Sequence, residues 1–100
     1  VNLSLYSAAE LASLVGERAK ECRLARGMRQ ADLAEAAGVT LSTLKRFERN
    51  GAVGFDAVAR IALALGAERE FAALFPPAEA RSLDEILAGN RKRLRARKKA

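Results

Sequence analysis

One hundred residues, half of them apolar, hold one small domain, and an apolar set dominated by Ala and Leu with 5% aromatics favours packed helices over sheet. The absence of His and the single Cys22 exclude an internal disulfide and a cysteine metal site and remove the commonest general base, so the composition argues against an enzyme and calls for no cofactor. A net charge of +6 points to an anionic partner, but Arg91, Lys92, Arg93, Arg95, Arg97, Lys98 and Lys99 account for all of it, and removing them leaves residues 1–89 at −1.

Residues 1–6 carry no strong pattern and none of the basic, apolar and small-residue regions of a signal peptide. No stretch approaches the roughly 20 apolar residues of a membrane span, so a soluble, cytoplasmic protein is expected. Ser7-Ala-Ala-Glu10 is a capping box opening a first helix over about 8–25, with Leu11, Leu14, Val15, Ala19 and Cys22 as its apolar, core-facing series. Cys22 reads as core filler in that series. Gly27 is placed to end the helix in the left-handed conformation, and Met28 plugs the gap before a second helix starts at Gln30.

The second helix is short, with Leu33, Ala34 and Ala37 inward and Asp32 in the first turn. Gly38 terminates it, and Thr40 caps a third helix whose inward residues are Leu44 and Phe47. Its outward face is then polar, basic and small-headed: Ser42, Thr43, Lys45, Arg46 and Arg49. Asn50, Gly51 and Gly54 mark a loop, after which Phe55, Val58, Ile61, Ala62 and Leu65 outline a fourth helix ending at Gly66. A fifth follows at 68–75, its Phe71, Leu74 and Phe75 expected to close the core, and Pro76-Pro77 ends the domain.

Two helices joined at a tight glycine turn, small where they cross and apolar where they meet the core, are what a helix-turn-helix requires to push its second helix into a major groove about 12 Å wide. Gln30, Leu33-Ala34, Ala37-Gly38-Val39-Thr40, Thr43-Leu44 and Phe47-Glu48-Arg49 resemble the Cro/repressor (Xre-type) helix-turn-helix family over residues 11–75. The resemblance implies an all-α, five-helix DNA-binding domain over 8–75, followed by an extension, 76–100.

It also implies roles. Gln30 matches the family's phosphate-binding glutamine at a helix N-terminus. Leu41, Ser42 and Arg46 match the base-reading positions, with Thr43 beside them. Arg46 suits a guanine, Ser42 is permissive, and Leu41 offers only apolar contact to a thymine methyl or packs inward. Lys45, Arg49 and Asn50 are suited to phosphate. Glu48 and Arg23 match a structural ion pair between the third and first helices. Two residues depart from the pattern: Arg29 stands where a Thr or Ser cap is usual, and Leu41 replaces a polar reader, which shifts readout toward DNA shape.

In the extension, Ser82-Leu-Asp-Glu85 is a second capping box leading a two-turn helix, 82–88, that needs a surface for Leu83, Ile86 and Leu87. The basic tail, 90–100, is a DNA clamp, a protein-docking segment or a solubilising end. Together with the preceding Leu74-Phe75-Pro76-Pro77 the extension resembles HipB-like antitoxins encoded beside HipA-type kinases, which implies a kinase toxin as partner. The expectation for the whole chain is a bacterial, nucleoid-associated repressor that binds double-stranded DNA as a homodimer on an inverted repeat. The rival is a protein-interaction adaptor on the same scaffold that reads no DNA.

Overall fold

Residues 5–78 are described by the computed structural model, and they form five helices: α1 (Ala8–Ala25), α2 (Gln30–Ala37), α3 (Leu41–Asn50), α4 (Phe55–Ala64) and α5 (Glu68–Ala72). No strand occurs among the described residues. The expected helix 82–88 and the basic tail lie outside them.

The helix ends follow from local chemistry. At α1 the Glu10 N–H donates to Ser7 Oγ at 3.1 Å and the Ser7 N–H donates to Glu10 Oε1 at 2.9 Å, so each residue satisfies an orphan donor of the other. The Ser7 backbone N–H, helped by its hydroxyl, holds the Glu10 carboxyl below its ordinary value. At α2 the cap is only half made, because arginine has no acceptor to offer the helix. Asp32 compensates: its Oδ2 accepts from the Arg29 N–H at 3.2 Å and from Arg29 Nε at 3.1 Å. The Arg29 guanidinium, with that N–H, lowers the Asp32 pKa.

The α2–α3 turn depends on Gly38, whose φ of 71° is left-handed and strained for any residue with a Cβ. That conformation lets the Gly38 N–H reach Glu35 O and the Val39 N–H reach Ala34 O, closing α2 within one residue. Thr40 then starts α3 at once, its Oγ1 accepting from the Thr43 N–H at 3.0 Å.

Leu33, Ala34 and Ala37 of α2, Leu44 and Phe47 of α3, and Ile61 and Leu65 around α4 form the core, with Met28 and Val39 packed at its edge. α1 seats on α3 along Ala12 and Gly16, beside the apolar series, of which Ala19 packs against the core and Leu14 is half-buried as expected. Gly16 is buried against the Phe47 carbonyl, and Gly51 meets the Ala12 backbone, so the two helices approach backbone to backbone. Leu11, Val15 and Cys22 are therefore turned out to solvent, a correction to the core-facing role expected of them. Small residues allow the closest approach, and the larger apolar ones are left to the side.

The fifth helix is shorter than the expected 68–75, ending at Ala72. Nor does it close the core: Phe71 is half-buried, Leu74 is 50% exposed and Phe75 is 86% exposed. Phe71 instead stacks on the exposed Phe55 ring, with centroids 5.1 Å apart and planes inclined at 34°. The chain leaves the helix too early to fold Leu74 and Phe75 back, and Pro76-Pro77 denies it another turn.

Candidate nucleic-acid interface

α3 divides its residues cleanly. Leu44, Phe47 and Glu48 are buried, whereas Leu41, Ser42, Lys45, Arg46 and Arg49 are exposed and border a shallow concavity of about 430 Å³. Leu41, open to either orientation in the sequence, is 39% exposed and lies on this outer face. Thr43 does not join the group. It is half-buried at the helix start, where its hydroxyl is hydrogen-bonded to Thr40 Oγ1 at 2.8 Å.

Three cations thus share one face: Lys45, Arg46 and Arg49. None of them pairs with a carboxylate among the described residues, in contrast to Arg23, Arg29 and Arg60, each of which does. Arg46 has one internal commitment, its Nε donating to Ala52 O at 3.0 Å in the following loop. The two terminal nitrogens stay available, and the anchored Nε fixes the direction in which they point. Ala52 is itself held by Asn50, whose Oδ1 accepts the Ala52 N–H at 2.8 Å. Asn50 thus shapes the loop that braces Arg46, and its amide nitrogen has no hydrogen-bond partner among the described residues.

Behind this face lies a buried charge network. Arg23 Nε donates to Glu48 Oε2 at 2.7 Å and Nη2 donates to Oε1 at 3.0 Å, a two-pronged pair with both side chains under a tenth exposed. Arg23 Nη1 also donates to Met28 O at 2.8 Å, tying in the α1–α2 turn. Gln30 Nε2 donates to Glu48 Oε1 at 3.0 Å, so the same carboxylate holds the amide at the start of α2. No buried side-chain polar atom among the described residues lacks a partner, the condition under which a buried ion pair is tolerable. Gln30 is oriented by α3 itself, with a second amide hydrogen still free to donate.

The bracing of Arg46 by Ala52 and the grip of Glu48 on Gln30 have no signature in sequence spacing. For the close α1–α3 seat the sequence offers only Gly16, an isolated glycine that lowers helix propensity, and the structure supplies the reason for it in the Phe47 carbonyl beside its Cα.

A fold of five helices in which the second and third form a helix-turn-helix, with an unpaired basic face on the third, defines a class of DNA-binding regulators. A family model described as helix-turn-helix matches residues 20–71, just over half of the chain. The protein belongs to the Cro/repressor-type (Xre-type) helix-turn-helix family. No curated protein matches it. Among the described residues, no helix is long and apolar enough to cross a membrane, and no group of three or more His, Cys, Asp or Glu side chains is placed to hold a metal ion.

Proposed function

We propose that this regulator is a sequence-specific repressor that binds as a homodimer to an inverted repeat, inserting α3 of each copy into successive major grooves about 34 Å apart. One observation carries the proposal. The exposed face of α3 concentrates Lys45, Arg46 and Arg49 without carboxylate partners, next to the small Ser42, on a helix whose other side is fixed to the scaffold. Arg46 reads a guanine through its terminal nitrogens, while Leu41 and Ser42 make the shallower contacts. Thr43, half-buried, supports the helix start and touches only the edge of the site.

Phosphate contacts come from Gln30, Lys45, Arg49 and Asn50, which straddle the reading residues along the chain. With few base-reading groups, affinity rests on the backbone and on the doubled site, and DNA shape supplies part of the preference. The resemblance of Leu74-Phe75-Pro76-Pro77, the segment 82–87 and the Arg/Lys tail after a Cro-like domain to HipB-like antitoxins extends the proposal to autorepression beside a HipA-type kinase, which the identity of the neighbouring gene tests.

Selection of bound duplexes from random DNA is the direct test. The wild type is expected to enrich an inverted repeat, and Arg46→Ala to lose preference at one base pair per half-site at a cost of about 1–3 kcal/mol. Enrichment of nothing by the wild type would favour the adaptor role and remove the DNA-reading one.

A further inference from the structure

α1 has one apolar face that its seat on α3 leaves uncovered. The exposed Val15 and Cys22 lie on it with the half-buried Ala19 between them, and across an open groove of about 290 Å³ they face Ile61 and Leu65 from the α4 region and Phe71 and Leu74 around α5. The lining is almost entirely apolar. α5 contributes to one wall although it has only five residues and buries none of them, an arrangement with little stability of its own.

We propose that this groove is the seat of the chain's own segment 82–87, docked in cis. Leu83, Ile86 and Leu87 fall at i, i+3 and i+4, one side of a helix turn, and Ser82 with Glu85 supplies the capping box to start it. Such a turn is unstable alone and complementary to an apolar trough. Reach favours this occupant. The described chain ends at Ala78, four residues beyond the wall residue Leu74, and the five residues from there to Leu83 span up to about 17 Å. Arg18 stands at the groove without a carboxylate partner among the described residues, with Glu70 on the same lining, and Asp84, about 100° round the helix from Leu83, is the acid that borders the segment's apolar side.

Cys22 provides the test, since it is the single cysteine of the chain and lines the groove in exposed form. In the full-length protein, the rate of its reaction with a thiol-reactive chromophore is compared between wild type and the triple variant Leu83→Asp, Ile86→Asp, Leu87→Asp. A tethered concentration of about 1 mM acting on an intrinsic dissociation constant of about 0.1 mM leaves roughly one groove in ten open, so the variant is expected to react about tenfold faster. Equal rates would overturn the proposal.

A second variant, Ile86→Cys, separates the possible occupants when it is oxidised at low protein concentration and the bridge is mapped by peptide mass. A bridge to Cys22 within one chain is the expected result. A bridge to Cys22 of another chain, placing the segment in a second copy, or no bridge at all, would each overturn docking in cis.

Discussion

Gly16→Ala sets two physical effects against each other, and the structure determines which prevails. In a helix interior, replacing glycine by alanine ordinarily stabilises by about 0.5–1 kcal/mol, because it restricts the unfolded chain and improves helix propensity. At position 16 the added Cβ would lie well inside 3.0 Å of the Phe47 carbonyl oxygen, 3.1 Å from its carbon and 3.3 Å from the Gly51 nitrogen. All three are backbone atoms, so no side chain can rotate away. α1 and α3 must separate, loosening the Arg23–Glu48 pair between them. Overpacking of this kind costs about 1–3 kcal/mol, and the lost hydrogen bonding adds to it, so a net destabilisation of about 1–3 kcal/mol remains after the propensity gain. At about 4–8 °C per kcal/mol for a domain of this size, the melting temperature should fall by roughly 5–20 °C. Thermal unfolding followed by far-UV circular dichroism measures it. Gly54→Ala, where a Cβ meets nothing within 4 Å, serves as the control, and it should lose no more than about 1 kcal/mol through its weaker cap. A Gly16→Ala protein melting at or above the wild type would refute the close backbone seat.

Glu48→Ala leaves the Arg23 guanidinium buried without its partner and releases Gln30, so it should cost about 3–5 kcal/mol. An unchanged melting temperature would remove the network from the account of the fold. For pH, the sign follows from Glu10: its folded carboxyl titrates below the ordinary 4.5, so its contribution is complete above that value and is lost as the pH falls through the lower folded value. Helicity of Glu10→Gln should therefore change less than that of the wild type between about pH 5 and pH 2, and identical acid profiles would show that the capping box contributes nothing. Deleting residues 91–99 removes seven cations and should weaken binding to all duplexes alike, reducing the slope of log affinity against log salt by up to about 6 while the preferred site is kept. A changed site preference would mean that the tail reads bases.

The helix-turn-helix was legible because its determinants are local. Gly38 must adopt a left-handed turn, Thr40 must cap, and the small Ala34 and Ala37 must pack inward, each a property of the residue and its immediate neighbours. The role of α1 was only half legible. Periodicity identified its apolar residues correctly as a stripe, but hydrophobicity alone cannot tell a stripe that faces the core from one that borders a groove. The helix sits where its backbone fits closest, along Ala12 and Gly16, and Val15 and Cys22 follow from that choice. The same limit applied at α5, where Leu74 and Phe75 were apolar enough for the core but lay beyond the end of the helix that would have carried them there. Within the candidate site, residue types on the outer face of α3 could be read from spacing, whereas the Ala52 carbonyl that aims Arg46 depends on a loop conformation set by Asn50.

The clean division of α3 also bears on how such a protein can change over time. Leu44, Phe47 and Glu48 hold the helix in place, and Leu41, Ser42, Lys45, Arg46 and Arg49 take little part in doing so. Substitutions in the second group leave the core intact, so new surface chemistries can accumulate there without first crossing an unfolded ancestor. The scaffold constrains where a contact is presented and leaves its identity open, which lets one fold diverge toward many targets by drift at five positions of a single ten-residue helix.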